Sequence, residues 1–284
     1  MHNGERYLRV ALDSILSQTL QSFELVICDN ASTDGTEAIC REYAARDPRV
    51  RYDRLSSNIG AANNFRRVFE RSRGRYFKWV ASDDYCASEF LERCTRVLDE
   101  RPDVVLCTSK VNMVDKDGQI IQPYFERQDL PQKLPSERMI ASRNQDSWCN
   151  AVYGVMRSEM LRRTAVMGSY VGSDGVLLAE ISLYGCFAEV PEHLLFRRIH
   201  PGAYSWEVAP ERFKEFYAPS QKRATMLVFR MWRHLLEYLR ATGRAPLPTY
   251  EKARLVGYIL RMAWWHRREL AVEIISAVRS RAVH

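Results

Sequence analysis

The 284-residue sequence lacks several features that assign a chain to a class at once. It has no run of the roughly 18 consecutive apolar residues that a membrane-spanning helix needs. It has no basic-then-apolar start like that of a signal peptide, so the cytoplasm is the expected compartment. Its seven cysteines are odd in number and include no CxxC pair, which argues against a disulfide framework and a zinc site. There is no internal repeat or low-complexity tract.

The composition that is present is typical of a globular protein. Hydrophobic residues make up 46% and charged residues 27%, which suits a buried core and excludes a mainly disordered chain. The charge is uneven, because residues 197–284 hold 17 Lys and Arg against 7 Asp and Glu, and the rest holds 25 against 28. A basic C-terminal part favours an anionic surface such as a membrane. Nucleic acid is disfavoured, because no zinc-finger or RRM signature accompanies the charge.

Hydrophobic spacing alternates between the helical and the strand period along the first 120 residues. Helices are predicted over about 4–18, 36–46, 61–73 and 88–100, and strands over 23–28, 50–55, 76–81, 103–109, 111–114 and 120–121. Residues 124–148 are predicted to form an irregular polar loop on the acceptor side. Strands that alternate with helices indicate an α/β fold with a mainly parallel sheet, in which ligands collect beyond the carboxyl ends of the strands.

Polar residues follow two of these strands. Asp83 and Asp84 come after the strand over 76–81, and adjacent carboxylates repel each other unless a cation or hydrogen-bond donors compensate. Such oxygen ligands suit Mg²⁺ or Mn²⁺, and the alternative is that they cap the next helix. Asp29 opens the polar segment 29–36. That segment is suited either to a base or ribose contact or to capping the following helix.

Taken in order, these segments resemble family 2 glycosyltransferases. The resemblance is carried by the helix over 3–19, the strand over 23–28, segment 29–36, Asn58-Ile59-Gly60, Ser82-Asp83-Asp84, Gly172-Ser173-Asp174 and Arg197-Arg198-Ile199-His200-Pro201. It covers about residues 1–205. It implies the type A nucleotide-diphospho-sugar transferase fold, a Rossmann-like mixed, mainly parallel sheet flanked by helices. We therefore expect a catalytic domain over 1–205 and a basic helical extension over 206–284.

The resemblance also implies roles for individual residues. Asp174 matches the general base that takes the proton of the acceptor hydroxyl. Asp83 and Asp84 match the DxD-type motif and would hold Mg²⁺ or Mn²⁺ on the donor diphosphate, and His200 would approach the diphosphate or the metal. Arg197 and Arg198 are adjacent, so their side chains point to opposite faces of a strand. Arg198 is the candidate for contact with the diphosphate. Nucleotide contacts are implied for Asp29, Asn30, Ser32, Asn58, Gly60, Asn63 and Asp83.

Displacement of a nucleoside diphosphate needs the same groups on chemical grounds. Cations must stabilise the leaving phosphates, and a carboxylate must accept a proton on the opposite face of the sugar. Each residue also has a simpler reading. Asp174 suits a helix N-cap, His200 a buried hydrogen-bonded histidine, and Arg197 and Arg198 a solvated strand face.

Two departures from the family pattern stand out. The family normally begins with a hydrophobic strand before the segment that matches here at residues 3–8, whereas this sequence starts at Met1. The expectation is therefore a start assigned too late or a truncated chain, with strand edges left exposed. Ala81 stands where many members have the first Asp of the metal motif, which leaves the exact ligand set open.

Beyond residue 210 the spacing predicts helices over about 211–240 and 249–280. Their aromatic residues and arginines suit a membrane-surface helix that meets a lipid-linked acceptor, or else a helical pair packed on the catalytic domain. The predicted function is inverting transfer of a sugar from a UDP- or dTDP-sugar to a hydroxyl of a polysaccharide, glycolipid or other glycoconjugate. The expected compartment is the cytoplasm, and peripheral contact with the inner face of the membrane is the alternative that the basic helices leave open.

Two other functions are alternatives to sugar transfer. A nucleotidyltransferase would need a basic phosphate loop near the start, and none is present. A non-catalytic sugar-nucleotide-binding or scaffold protein is the remaining alternative. A processive synthase is disfavoured, because the sequence has no spanning segment and no Gln-x-x-Arg-Trp.

Overall fold

The computed structural model describes residues 1–124, 127–145, 149–201 and 229–282. In its first hundred residues helices and strands alternate, and most of their bounds agree with the sequence prediction. The helices are α1 (Glu5–Leu16), α2 (Thr36–Arg46), α3 (Ala61–Arg71) and α4 (Phe90–Glu100). The strands are β1 (Leu25–Asp29), β2 (Val50–Arg54), β3 (Tyr76–Phe77) and β4 (Tyr85–Cys86).

The second half of the chain adds the longest strands and the C-terminal helices. Its strands are β5 (Val104–Val114), β6 (Ile120–Pro123), β7 (Val155–Arg157) and β8 (Cys186–Arg198). Its helices are α5 (Pro135–Asn144), a 3₁₀ turn (Asn150–Tyr153), α6 (Ser158–Arg162), α7 (Ser173–Ile181), α8 (Arg230–Arg244), α9 (Thr249–Trp265) and α10 (Arg267–Ala282). Of the helix predicted over about 211–240, residues 211–228 lie outside the described residues, as does the domain boundary at 205, and the rest falls in α8.

The strands form two sheets. β1 and β2 pair in parallel, and the larger sheet has the order β3-β7-β5-β8-β4, with β6 on the far end of β5. The long pairing of β5 with β8 is parallel, whereas the short pairings of β3, β4, β6 and β7 are antiparallel. Most of the paired length is therefore parallel. The backbone of Met1 continues the small sheet, because its amine donates to Cys28 O (2.9 Å) and its carbonyl accepts from Asn30 N (2.8 Å).

The core lies on both faces of β5. On one face, α4 packs through Phe90 and Leu98, which are fully buried. On the other face, Leu106 packs against Leu177 and Ile181 of α7. Six of the seven cysteines are buried and all are free thiols, so they pack as small apolar residues.

Two local predictions are wrong, for reasons of tertiary packing. The strand predicted over 76–81 ends at Phe77, because Trp79 is buried with its indole N–H on Phe65 O (3.0 Å) and Lys78 donates to Tyr153 O. The segment over 124–148, predicted to be irregular, contains α5. Its weakly amphipathic sequence is held as a helix because Met139 is buried between α7, α8 and α9.

The C-terminal helices share a core with the body of the protein. Leu235 and Tyr238 of α8, and Leu255 and Ile259 of α9, are buried together with residues of α5 and α7. The carboxylate of Glu251 on α9 is also buried and accepts the backbone N–H of Ser136 at 2.8 Å. In the described residues, therefore, α8 and α9 are packed helices, as one of the two sequence readings predicts.

We expect Glu251→Ala to lower the free energy of unfolding by about 1–3 kcal/mol, because the Ser136 N–H would lose its acceptor inside the core. Urea denaturation measures the change. Glu159→Ala is the matched control, since the Glu159 side chain is 69% exposed. That variant should stay within about 0.5 kcal/mol of the parent. Equal shifts for the two variants would show that the buried carboxylate does not fasten α9.

Candidate active site

The polar loop after β1 is joined to the turn before α3 through side-chain amides. Asn30 donates its Nδ2 to Asn58 Oδ1 (2.7 Å) and accepts the Ile59 N–H on its Oδ1 (2.9 Å). Gly60, at φ +84°, donates its N–H to the same Asn58 oxygen at 2.8 Å. Three of the predicted nucleotide-contacting residues therefore form one hydrogen-bonded unit at the end of β1.

Asp29 ends β1 and is fully buried. Its carboxylate accepts from Ser32 N–H (2.9 Å) and Tyr52 Oη (3.0 Å), and Arg54 Nε lies 3.3 Å away. Burial, followed by the hydrogen bond to Asp29, raises the pKa of Tyr52, so the phenol stays a donor. Ser32 Oγ in turn accepts the Asn3 N–H. Both Asp29 oxygens are bonded within the chain, and a nucleobase contact by Asp29 stays a prediction.

The second cluster lies where the end of β8 meets β4. These strands pair antiparallel with Tyr85 opposite Phe196, and their rings stack at 4.6 Å. This register brings His200 Nε2 to 3.2 Å from Asp83 Oδ2. The Tyr7 ring of α1 packs on the imidazole, with 4.8 Å between ring centroids. Tyr7 also lies on the buried face of α1.

Asp84 and Arg198 turn inward from this cluster. Asp84 is 7% exposed, and its Oδ1 accepts the backbone N–H of Arg198 at 2.9 Å. Burial, followed by the charge of Asp83, raises the pKa of Asp84 to about 7. The Arg198 guanidinium donates to the carbonyls of Asp83, Asp115 and Lys116, each at 3.0 Å. The Arg198 side chain therefore connects the β5–β6 turn to the residues just before β4.

The residues present fit a metal that takes few protein ligands. Within the described ranges, no group of three or more His, Cys, Asp or Glu side chains is arranged to hold a metal ion. Asp83 and His200 do come together, and their side chains are 30% and 11% exposed. A carboxylate and an imidazole suit Mn²⁺ when water and phosphate oxygens complete the shell, and Mg²⁺ commonly uses one or two carboxylates. Asp84, predicted as a further ligand, has one oxygen committed to Arg198.

Asp174 occupies the second position of α7. Gly172 precedes the helix at φ +78°, and a Cβ there would lie 2.9 Å from the His234 ring of α8. His234 donates its Nε2–H to the carbonyl of Val171 at 2.7 Å. Asp174 Oδ1 accepts the Gly175 N–H at 2.9 Å, and the residue is half-buried. The carboxylate thus lies at a helix start, and α8 supports the turn before it.

The surroundings of Asp174 connect it to the rest of the site. Asn63, the remaining predicted nucleotide contact, is exposed on α3, and its Oδ1 accepts from Ser169 Oγ (3.1 Å) in the loop before α7. A small cavity beside Gly175 is lined by Asn150, Tyr238 and Arg143 among others. Arg197 donates to Asn150 Oδ1, so Arg197, unlike Arg198, reaches toward this cavity. Sequence reasoning missed Asn150, because no motif marks it.

The family model for glycosyl transferase family 2 matches residues 1–166, more than half of the chain. The chain belongs to glycosyl transferase family 2. A curated family relative is the putative glycosyltransferase EpsH of Bacillus subtilis, 29% identical over 138 residues, which are 47% of this chain and 39% of EpsH. The chain spans 35–39% of the length of four curated relatives that it matches, EpsH among them.

Solved structures show the same fold. Staphylococcus aureus TarS 1–349 in complex with UDP-GlcNAc superposes with a TM-score of 0.62 at 19% identity, over 93% of this chain and 70% of TarS. The mannosyltransferase PcManGT from Pyrobaculum calidifontis, in complex with GDP-Man and Mn²⁺, gives 0.52 at 17% identity, over 98% and 84%. The predicted type A glycosyltransferase fold is thereby confirmed. The chain contains the glycosyltransferase domain of its family.

Proposed function

We propose that this protein transfers one sugar, with inversion, from a UDP- or dTDP-sugar to a hydroxyl group of an acceptor. The observation that carries the proposal is the meeting of Asp83 and His200 at 3.2 Å, at the strand ends where a donor diphosphate would lie. The family membership and the nucleotide-sugar complexes of TarS and PcManGT support it. The non-catalytic scaffold alternative is not favoured, because the named relatives are glycosyltransferases.

In the proposed reaction Asp174 accepts the proton of the acceptor hydroxyl. The acceptor oxygen forms a bond to the anomeric carbon while the bond from that carbon to the diphosphate breaks, which inverts the centre and releases the nucleoside diphosphate. Asp83 and His200 are proposed to hold Mg²⁺ or Mn²⁺. The ion, when bound, neutralises the negative charge that grows on the leaving diphosphate. We propose that the nucleoside binds where Asn30 and Asn58 join the loop after β1 to the turn before α3. Further nucleoside contacts are proposed for Ser32, Gly60 and Asn63.

We propose that the acceptor is a glycan or a lipid-linked sugar. It would reach Asp174 beside the small cavity that Arg143 lines. The buried Nε of Arg143 has no hydrogen-bond partner among the described residues, so we propose that the guanidinium contacts an oxygen-rich group of the acceptor. We place the reaction in polysaccharide or glycoconjugate synthesis in the cytoplasm, peripherally at the inner face of the membrane. No nucleic-acid partner is proposed.

Isothermal titration calorimetry with UDP, dTDP and GDP tests the donor assignment. We expect UDP or dTDP to bind in the presence of Mn²⁺ and to bind at least about tenfold more weakly after the metal is chelated, because the diphosphate would lose its counter-charge. GDP is the control for the base. Metal-independent binding of all three nucleotides, or binding of none, would contradict the proposal. Release of UDP from a UDP-sugar in the presence of an acceptor separates a transferase from a binding protein.

A further inference from the structure

The exposed large apolar side chains are concentrated in the C-terminal helices. Among the described residues only Val10, Ile120 and Ile121 are exposed elsewhere. The other thirteen are Phe229, Trp232, Leu236, Leu239, Tyr250, Val256, Leu260, Trp264, Trp265, Val272, Ile274, Ile275 and Val278. Scattered exposed apolar residues are normal, whereas a concentration of this size marks an interaction surface.

Helix α9 is apolar on two faces. Leu255, Ile259 and Met262 face the core shared with α5 and α7. Val256, Leu260 and Trp264, spaced four residues apart, form a second stripe that is exposed, and Leu260 and Trp264 are 63% and 66% exposed. One face of the helix therefore packs on the core, and its other apolar face is exposed among the described residues.

The stripe ends at two adjacent tryptophans. Trp265 is 61% exposed, and only His266 separates it from α10, whose Val272, Ile275 and Val278 are also exposed. The indole has a large apolar body and a polar N–H, and it is enriched where a protein meets the boundary between lipid chains and headgroups.

Arginines accompany these tryptophans. The Arg267 guanidinium lies 4.6 Å from the ring centroid of Trp264, and that of Arg261 lies 5.6 Å from Trp265. Arg268 is exposed beside them. Residues 249–282 hold seven Lys and Arg and three Glu. Two of the acids accept backbone hydrogen bonds within the protein, Glu251 from the Ser136 N–H and Glu273 from the Met231 N–H.

We infer that this surface, formed by Val256, Leu260, Trp264 and Trp265 of α9 and Val272, Ile275 and Val278 of α10, docks on an anionic lipid bilayer. The apolar side chains would enter the boundary between headgroups and acyl chains, and Arg261, Arg267 and Arg268 would contact lipid phosphates. No helix of the described chain is long and apolar enough to cross a bilayer, so the contact is peripheral. The inference deepens the proposed function, because it presents the site to a membrane-linked acceptor.

The test is co-sedimentation of the full chain with vesicles of phosphatidylcholine alone or with 30% phosphatidylglycerol (about one lipid in three, a typical anionic content). We expect binding to the anionic vesicles only. W264S/W265S should bind at least about tenfold more weakly, because two interfacial anchors are lost. R267Q/R268Q should lose roughly tenfold on anionic vesicles, because each cation near the surface adds electrostatic attraction.

The matched control is I120S/I121S, which removes two side chains that are 58% and 54% exposed on β6, away from α9. It should bind vesicles as the parent does. Equal binding by W264S/W265S and the parent would overturn the inference. So would a parent that ignores anionic vesicles but forms a dimer that W264S/W265S abolishes, since the surface would then pair two copies. UDP binding measured on W264S/W265S tests the transferase proposal separately, and it should be unchanged.

Discussion

Asp174→Asn is expected to lower the rate of sugar transfer by roughly 10²–10⁴-fold, the usual contribution of a positioned general base. Asparagine has nearly the same shape, and its Oδ1 can still accept the Gly175 N–H that Asp174 accepts at 2.9 Å. The start of α7 should therefore keep its structure, while the side chain can no longer take a proton. Initial rates of nucleotide release with acceptor present measure the effect, and calorimetry with UDP should give an unchanged Kd.

Asp117→Asn is the control for the loss of one negative charge, because the Asp117 side chain is 62% exposed at the β5–β6 turn. Its transfer rate should equal that of the parent. Full activity in Asp174→Asn would remove Asp174 from the reaction. Loss of UDP binding together with loss of transfer would instead show that Asp174 holds the structure of the donor site.

Asp83→Asn is expected to weaken Mn²⁺-dependent UDP binding by roughly 10²-fold. Changes to groups that merely orient metal ligands typically reduce metal affinity 10–100-fold, so removal of a ligand charge should reach at least the top of that range. His200, 3.2 Å from Asp83 Oδ2, would remain as a ligand but without the negative charge. Calorimetry with UDP at several Mn²⁺ concentrations separates the loss of metal affinity from the loss of nucleotide affinity.

Asp84→Asn is the matched comparison, because it changes the adjacent carboxyl group to an amide. Asp84 is buried with its Oδ1 on the Arg198 N–H, a bond that the asparagine oxygen can also make. We expect Mn²⁺-dependent UDP binding to stay within about threefold of the parent, because a hydrogen-bonding role survives the change. If Asp84→Asn weakens UDP binding as much as Asp83→Asn does, then both carboxylates hold the metal.

The sequence predicts well those elements whose structure is decided locally. α2 begins and ends at the residues predicted, because the Asp47-Pro48 stop and the apolar spacing act over a few residues. α5 was not predicted, since the burial of Met139 among α7, α8 and α9 cannot be read from its own weak pattern. The strand over 76–81 was overpredicted for the same kind of reason, because Trp79 is held by a carbonyl of α3.

The candidate site likewise has some residues whose place is predicted by local sequence and others whose place depends on tertiary contacts. Placing Asp29 at a strand end needs only the local pattern, and Asp29 is the last residue of β1. The prediction that Asp83 directly follows a strand is wrong, because β3 ends at Phe77 and Asp83 lies two residues before β4. The partners of Asp84 and Arg198 depend on the register of β4 on β8, which joins residues more than one hundred positions apart. No single segment of sequence carries that register. The likeness to family 2 supplied His200 and Asp174, but not the use of Arg198 as a clamp on three carbonyls.

Helix α8 connects α10, part of the proposed lipid-binding surface, with the turn before Asp174, the proposed general base. Its first turn is joined to α10, where Glu273 accepts the Met231 N–H, and one turn later His234 holds the carbonyl of Val171, three residues before Asp174. If α9 and α10 rest on a bilayer as we infer, α8 would fix the height of Asp174, the proposed general base, above the lipid. The protein would then select acceptors by the distance between their reactive hydroxyl group and the membrane surface.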